Sequence, residues 1–259
     1  MSIYKDEMVI KFNNDYRIDT LGRSTNKVPT TLNYYQIIYT TSGCYGSCSI
    51  TNLSLFKNGT LIISNEAYNG KRGVFEGKLD KKFHQFLVQK INEANLLNLN
   101  ANYEEQITDQ SEDLLLVIKN DRIIKSVRVY AYHMNPFYNS FIQTLGFAAS
   151  VTENKKNYHE SEYFPLLSTI KMGEIQLNKV QTFLLWTELM KHPSEKMIIK
   201  NQQTYKTEFY YYYFGEDLDE INPFKLESIK GNGQQFVLKF ENNQSHYYNL
   251  GYNFIQRYL

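Results

Sequence analysis

Hydrophobic positions in this chain repeat with two periods, and the switches between them lay out its elements. YYQIIYTT at 34–41 is β-branched and aromatic and predicts a strand. SITNLSLF at 49–56 alternates, placing Ile50, Leu53 and Leu55 near one core with a slip at Asn52. Asn58-Gly59 then supplies the positive φ angles of a tight hairpin, TLIISNEA returns as the partner, and GVFEGKL at 73–79 predicts a further short strand. At Asp80 the period changes. Leu79, Phe83, Phe86, Leu87 and Ile91 recur near every 3.6 residues behind a good N-cap, predicting a helix over 80–92 that ends by Asn95.

The Asn- and acid-rich stretch up to Asp113 reads as loop. DLLLVIKN and DRIIKSVRVYAY predict a second hairpin around 119–122, and Pro136 opens a helix from Phe137 to about Leu145. Residues 148–162, almost without large apolar side chains, read as a linker. Leu177, Val180, Phe183, Leu184 and Leu189 describe another amphipathic helix, capped at Asn178 and stopped by Pro193. The remainder is strand-like: KMIIK, TYKTEFYYYYF, LESIKG, QQFVLKF and SHYYNL, with a turn at 241–244 and a short helix or strand in YNFIQRYL. The expected fold is therefore α+β, with mostly antiparallel sheets built from hairpins, each packed by one or two amphipathic helices. Residues 1–32 form an N-terminal lead-in with one alternating stretch (Met8 to Phe12), 33–147 a first α+β domain, 148–162 the linker, and 163–259 a C-terminal α+β unit.

Composition changes this picture little and narrows the function classes. The 259 residues carry 28 Lys+Arg against 27 Asp+Glu, so bulk charge gives no reason to expect a nucleic-acid partner. No apolar run reaches the roughly 18–20 residues of a membrane span. The first twenty residues carry charges throughout and lack a signal peptide's apolar core, so the expected compartment is the cytoplasm, or the periplasm or a lipid anchor where a leader has been removed. The 22 Tyr and 16 Phe favour strands and contact surfaces, although an AT-rich genome accounts for much of that excess.

One segment carries a resemblance. A strand leads into Gly43-Cys44-x-Gly46-x-Cys48, followed by a strand, the Gly59-Thr60 hairpin turn, a strand and a helix; Tyr103, the Thr108-Asp109 pair and a final hairpin complete the order. From Tyr35 to Leu145 this resembles the bacterial family called domain of unknown function 6438. Ser49 stands where that family usually has Pro, and its members are often exported or lipid-anchored. The resemblance implies an α+β domain and no assigned activity.

The residues that carry chemistry give weak signals. Cys44 and Cys48 have the glycines to fold face to face, as a local disulfide or dithiol in a structural role, or they are two buried thiols. Zinc would need two further ligands that no second pair supplies, so no metal and no cofactor is expected. The five histidines are scattered singly, and no phosphate loop or nucleophile elbow occurs. Asp109, Glu112 and Asp113 form an acidic group with room for a metal or general-base role, although loops flanking strands are commonly acidic. In the aromatic run 209–214, Tyr210, Tyr212 and Phe214 share one face, and Glu216, Asp217, Asp219 and Glu220 follow directly. This is either a strand buried on both sides before a solvated loop, or a contact surface suited to a basic protein partner. The leading expectation is a non-enzymatic protein-binding protein, with an immunity or inhibitor protein against a bacterial toxin as a concrete version. The alternative is a small-ligand protein or enzyme using the Cys44–Cys48 and Tyr103–Asp113 loops, which requires those loops to meet.

Overall fold

The structure, a computed structural model, describes residues 2–4, 7–11, 18–22, 31–68, 73–158, 167–209, 226–240 and 243–259. Met1–Thr31 forms one unit and Leu32–Leu259 another. The first holds an antiparallel meander of β1 (Ser2–Tyr4), β2 (Glu7–Lys11) and β3 (Ile18–Gly22), where one alternating stretch was expected.

The second unit begins with β4 (Gln36–Thr41), β5 (Ile50–Phe56), β6 (Thr60–Ala67) and β7 (Gly73–Leu79). Helix α1 (Lys81–Glu93) follows, with the Asp80 carboxylate accepting from the Lys82 and Phe83 N–H groups as its N-cap. Gly59, at φ +83°, closes the β5–β6 hairpin as expected, and a Cβ there would sit 3.2 Å from the His84 ring of α1. Then come β8 (Asn102–Glu104), β9 (Glu112–Lys119), β10 (Arg122–Tyr130), helix α2 (Pro136–Val151) and β11 (Thr152–Tyr158). Together they make an eight-stranded sheet in the order β11-β7-β6-β5-β4-β9-β10-β8. Its pairings are antiparallel except β8 against β10.

Two readings change here. The stretch taken as loop contains a 3-10 turn at Leu96–Asn98 and the parallel edge strand β8, which is too short to show a period. Residues 148–158, read as linker, complete α2 and form β11 on the far edge, so small and polar residues serve a helix end and an edge strand.

After β12 (Leu167–Met172) and β13 (Ile175–Leu177), helix α3 (Lys179–Lys191) starts in a capping box, Asn178 exchanging bonds with Gln181. The chain continues through β14 (Pro193–Ser194), β15 (Gln203–Phe209), β16 (Leu226–Gly231), β17 (Gln235–Phe240), β18 (Ser245–Asn249) and the short helix α4 (Phe254–Tyr258). Its seven-stranded sheet has the order β13-β12-β15-β16-β17-β18-β14. KMIIK at 196–200 is not a strand. The chain leaves the β18 edge after β14, so these β-prone residues find no ladder, and Ile198 is 92% exposed.

Period-two alternation splits the large sheet's side chains cleanly. Ile37, Leu53, Leu55, Leu61, Ile63, Leu115 and Val117 face α1 and α2, where Leu87, Ile91, Tyr138, Phe141 and Leu145 close one core. Ile38, Phe56, Ile62, Leu114, Leu116 and Ile118 face α3. Helix α3 was expected to cover one sheet with one face. Instead ten of its thirteen residues are buried, because the seven-stranded sheet packs on its other side through Ile229, Phe236 and Leu238.

The α3 side of the large sheet also holds polar residues. Asn52 and Ser54, on the solvent-side parity in sequence, are buried here. Lys179 donates to Glu66 (2.9 Å) and to the Thr41 carbonyl (2.9 Å), Asn52 donates to the other Glu66 oxygen, and Gln36 donates to Ser54 (2.7 Å) and Thr187 (3.4 Å). The Lys179–Glu66 pair is almost fully buried, so each charge relies on its partners in place of water.

Candidate binding site at the loop end of the large sheet

The site is built where β4 ends, β9 begins, β10 ends and α2 starts. Thr41 pairs with Asp113 across β4 and β9, and the Cys loop leaves β4 there. The Ser42 N–H donates to the Glu112 carbonyl (2.9 Å), while the Glu112 N–H donates to the Ser42 hydroxyl (2.8 Å). The Thr41 hydroxyl accepts from the Thr51 N–H and donates to the Ser49 carbonyl, tying the loop's exit to its entry. Inside the loop a disulfide joins Cys44 and Cys48, with Cα atoms 5.6 Å apart. Gly46 sits between them at φ +141°, a conformation that needs glycine.

The two loops whose meeting was in question do meet. The Tyr45 N–H donates to the Asp109 carbonyl at 3.1 Å, so the disulfide loop rests on the Thr108–Asp109 turn. Asp109 takes a left-handed conformation (φ +65°), one that Asp tolerates, and its carboxylate accepts from the Thr108 hydroxyl at 3.3 Å. Tyr103 reaches the same end through β8, paired in register with Val129; its hydroxyl accepts from the Asn100 N–H (2.8 Å), and its ring lies 5.2 Å from that of Tyr132.

Beneath these loops, on the face covered by α2, sits a carboxyl among phenols. Asp113 has the parity of Leu115 and Val117, as Tyr39 has that of Ile37, and Tyr138 enters from the first turn of α2. Burial raises the Asp113 carboxyl to about 6, opposed by the Tyr39 hydrogen bond and reinforced by the neighbouring Glu112 charge. Burial and then Asp113 push Tyr39 well above the phenol range, and burial pushes Tyr138 up likewise. The Tyr138 hydroxyl is buried without a hydrogen-bond partner among the described residues. Sequence reasoning placed Asp113 in an acidic group and missed Tyr39 and Tyr138. The signal was available in part: an acid two residues before Leu115 occupies a core-facing position of its strand.

On the sheet's other face Arg128 binds Glu104 (2.8 Å), Glu112 and Asn102, and this holds the Glu104 carboxyl below its ordinary range. One guanidinium therefore bridges the carboxylates of Glu104 and Glu112, and Glu105 and Asp109 lie in the neighbouring loop. The exposed large apolar side chains of this end are Tyr45 (76% exposed), Ile107, Tyr132 and Phe137. Tyr210, Tyr212, Phe214, Glu216, Asp217, Asp219 and Glu220, the aromatic and acidic surface expected from sequence, lie outside the described residues. Among the described residues no group of three or more His, Cys, Asp and Glu side chains could hold a metal, and no helix is long and apolar enough to cross a membrane.

The chain finds no match among curated proteins. A family model described as a domain of unknown function (DUF6438) matches residues 35–146, from the start of β4 through most of α2, so both loops of the site fall inside the match. These residues belong to that family, to which no activity is assigned.

Proposed function

We propose that this is a non-enzymatic binding protein that engages a basic protein partner through the loop end of the large sheet. The observation that carries this reading is the disulfide-clamped Tyr45, held out into solvent on the Asp109 turn. Interfaces draw their energy from a few aromatic anchors on surfaces that do not have to be ordered on binding. Tyr45, Tyr132 and Phe137 are such anchors, and the surrounding acids supply the charge that steers a basic partner. An inhibitor or immunity protein capping a basic effector is the concrete form of this reading. The disulfide favours an oxidising compartment over the cytoplasm expected from the N-terminal residues. The test is affinity purification from the native host with wild type and with the Tyr45→Ala/Tyr132→Ala variant. A stoichiometric basic partner recovered by the first and lost by the folded second is the expected result. Retention by both, or no stoichiometric partner, overturns it.

The raised Asp113 carboxyl favours a second reading, a general acid serving a small ligand. Carbodiimide coupling of an amine at pH 5.5 separates the two. A working acid is modified in the folded protein, whereas a sealed one reacts only after unfolding.

A further inference from the structure

We infer that a groove in the C-terminal region, remote in sequence from both loops, is a docking site for an extended peptide segment. The groove encloses about 700 Å³, within the usual range of ligand sites, and lies between the β12–β13 turn, the start of β15, the β16–β17 turn and α4. Its wall includes an open strand edge. β15 pairs with β16 through Gln203, Thr204 and Tyr205, but pairs with β12 only from Lys206 onward, because β12 turns away at Gly173. Among the described residues nothing pairs with 203–205 on the β12 side, where a further extended chain can add its backbone.

The lining chemistry matches that occupant. Asn201, Gln203, Gln234 and Gln256 line the groove, exposed, with no side-chain hydrogen bond among the described residues. Each offers a donor and an acceptor without charge, the complement of a peptide group. Their support is rigid: Asn232 accepts from the Gln234 and Gln235 N–H groups and donates to the Lys200 carbonyl, and the Phe254 N–H donates to the Gly233 carbonyl at 2.8 Å. Lys200 and Glu174 flank the groove with opposite charges and, among the described residues, no ion pair, so it selects for neither net sign. The one aromatic in the lining, Tyr205, is buried, which leaves no ring face for stacking a sugar.

The probe is a library of phage-displayed linear 12-residue peptides panned on the full chain. Selected sequences are then synthesised and titrated by fluorescence anisotropy. Enrichment is expected, with affinity at least tenfold weaker for Gln203→Ala/Gln234→Ala, whose truncated side chains are exposed and make no hydrogen bond among the described residues. Affinity is also expected to fall on N-methylation of alternate peptide bonds and to be unchanged by Tyr45→Ala, so this site and the loop-end site stand or fall separately. No enriched sequence, equal binding by the double variant, affinity unchanged by N-methylation, or loss of binding in Tyr45→Ala would each overturn the proposal.

Discussion

The large sheet gathers polar chemistry in two places, and they are finished differently. Under α3, Glu66, Lys179, Asn52, Gln36, Ser54 and Thr187 bond chiefly to one another, almost wholly out of water. At the loop end the backbone is equally well tied, but its aromatic side chains and several acids point outward. A polar cluster that bonds chiefly within itself, out of water, is scaffold, whereas the rigid frame and exposed aromatic rings of the loop end are what the proposed binding role rests on. The scaffold cluster also marks how the family-matched residues depend on the rest. Glu66 and Gln36 lie inside the match, while Lys179 and Thr187 lie beyond it.

Removing one member of the buried pair is the harshest challenge to this division. Lys179→Ala leaves Glu66 uncompensated and is expected to cost about 3–5 kcal/mol in urea unfolding. The paired replacement Lys179→Met/Glu66→Leu is expected to recover most of that loss. A single variant costing less than about 1 kcal/mol would show that water already reaches the pair.

Asp113 comes next. Its folded carboxyl keeps its proton up to about pH 6, whereas the unfolded chain releases it near 3.8. Its contribution to stability is therefore greatest below pH 4 and declines as pH rises toward 6, by about 3 kcal/mol. Relative to wild type, Asp113→Asn should gain stability progressively over that window and hold the gain at pH 7. A difference between the two proteins that stays flat with pH contradicts the burial of this acid.

Closing a ring as small as Cys44–Cys48 constrains the unfolded chain weakly, so Cys44→Ser/Cys48→Ser is expected to cost about 2 kcal/mol. The same variant should bind the partner more weakly, because Tyr45 loses its clamp. Sequence alone reads this loop as scaffold, and the exposure of Tyr45 is what changes the reading. Gln36→Leu is the mildest case. It forfeits two hydrogen bonds but also removes a buried Oε1 that has no partner among the described residues, for a net change within about 1 kcal/mol.

The parts of the fold that repeat were legible. β-Branched and aromatic content located β4, alternation located β5, the hairpin turn placed β6 and a short strand run marked β7, while Asp80 and Asn178 marked their helices and Asn58-Gly59 its hairpin. The α3 seam was not legible, because Asn52 and Ser54 at alternate positions look the same whether water or a helix covers them. α3 itself reads as amphipathic although both its sides are buried, since Thr187, Glu188 and Lys179 are polar residues satisfied inside. At the site, the motif residues were found through their family pattern, but their convergence depends on a backbone bond between Tyr45 and Asp109 that no spacing encodes.

Photo-crosslinking in the native host reads the loop-end assignment residue by residue. A photoreactive amino acid replaces Tyr45, Tyr132 or, as an exposed position away from the loops, Ile198. A single discrete adduct from positions 45 and 132, absent at 198, is the result expected of a binding face at the loop end. Adducts from 198 alone, equal adducts from all three positions, or none at all would contradict it.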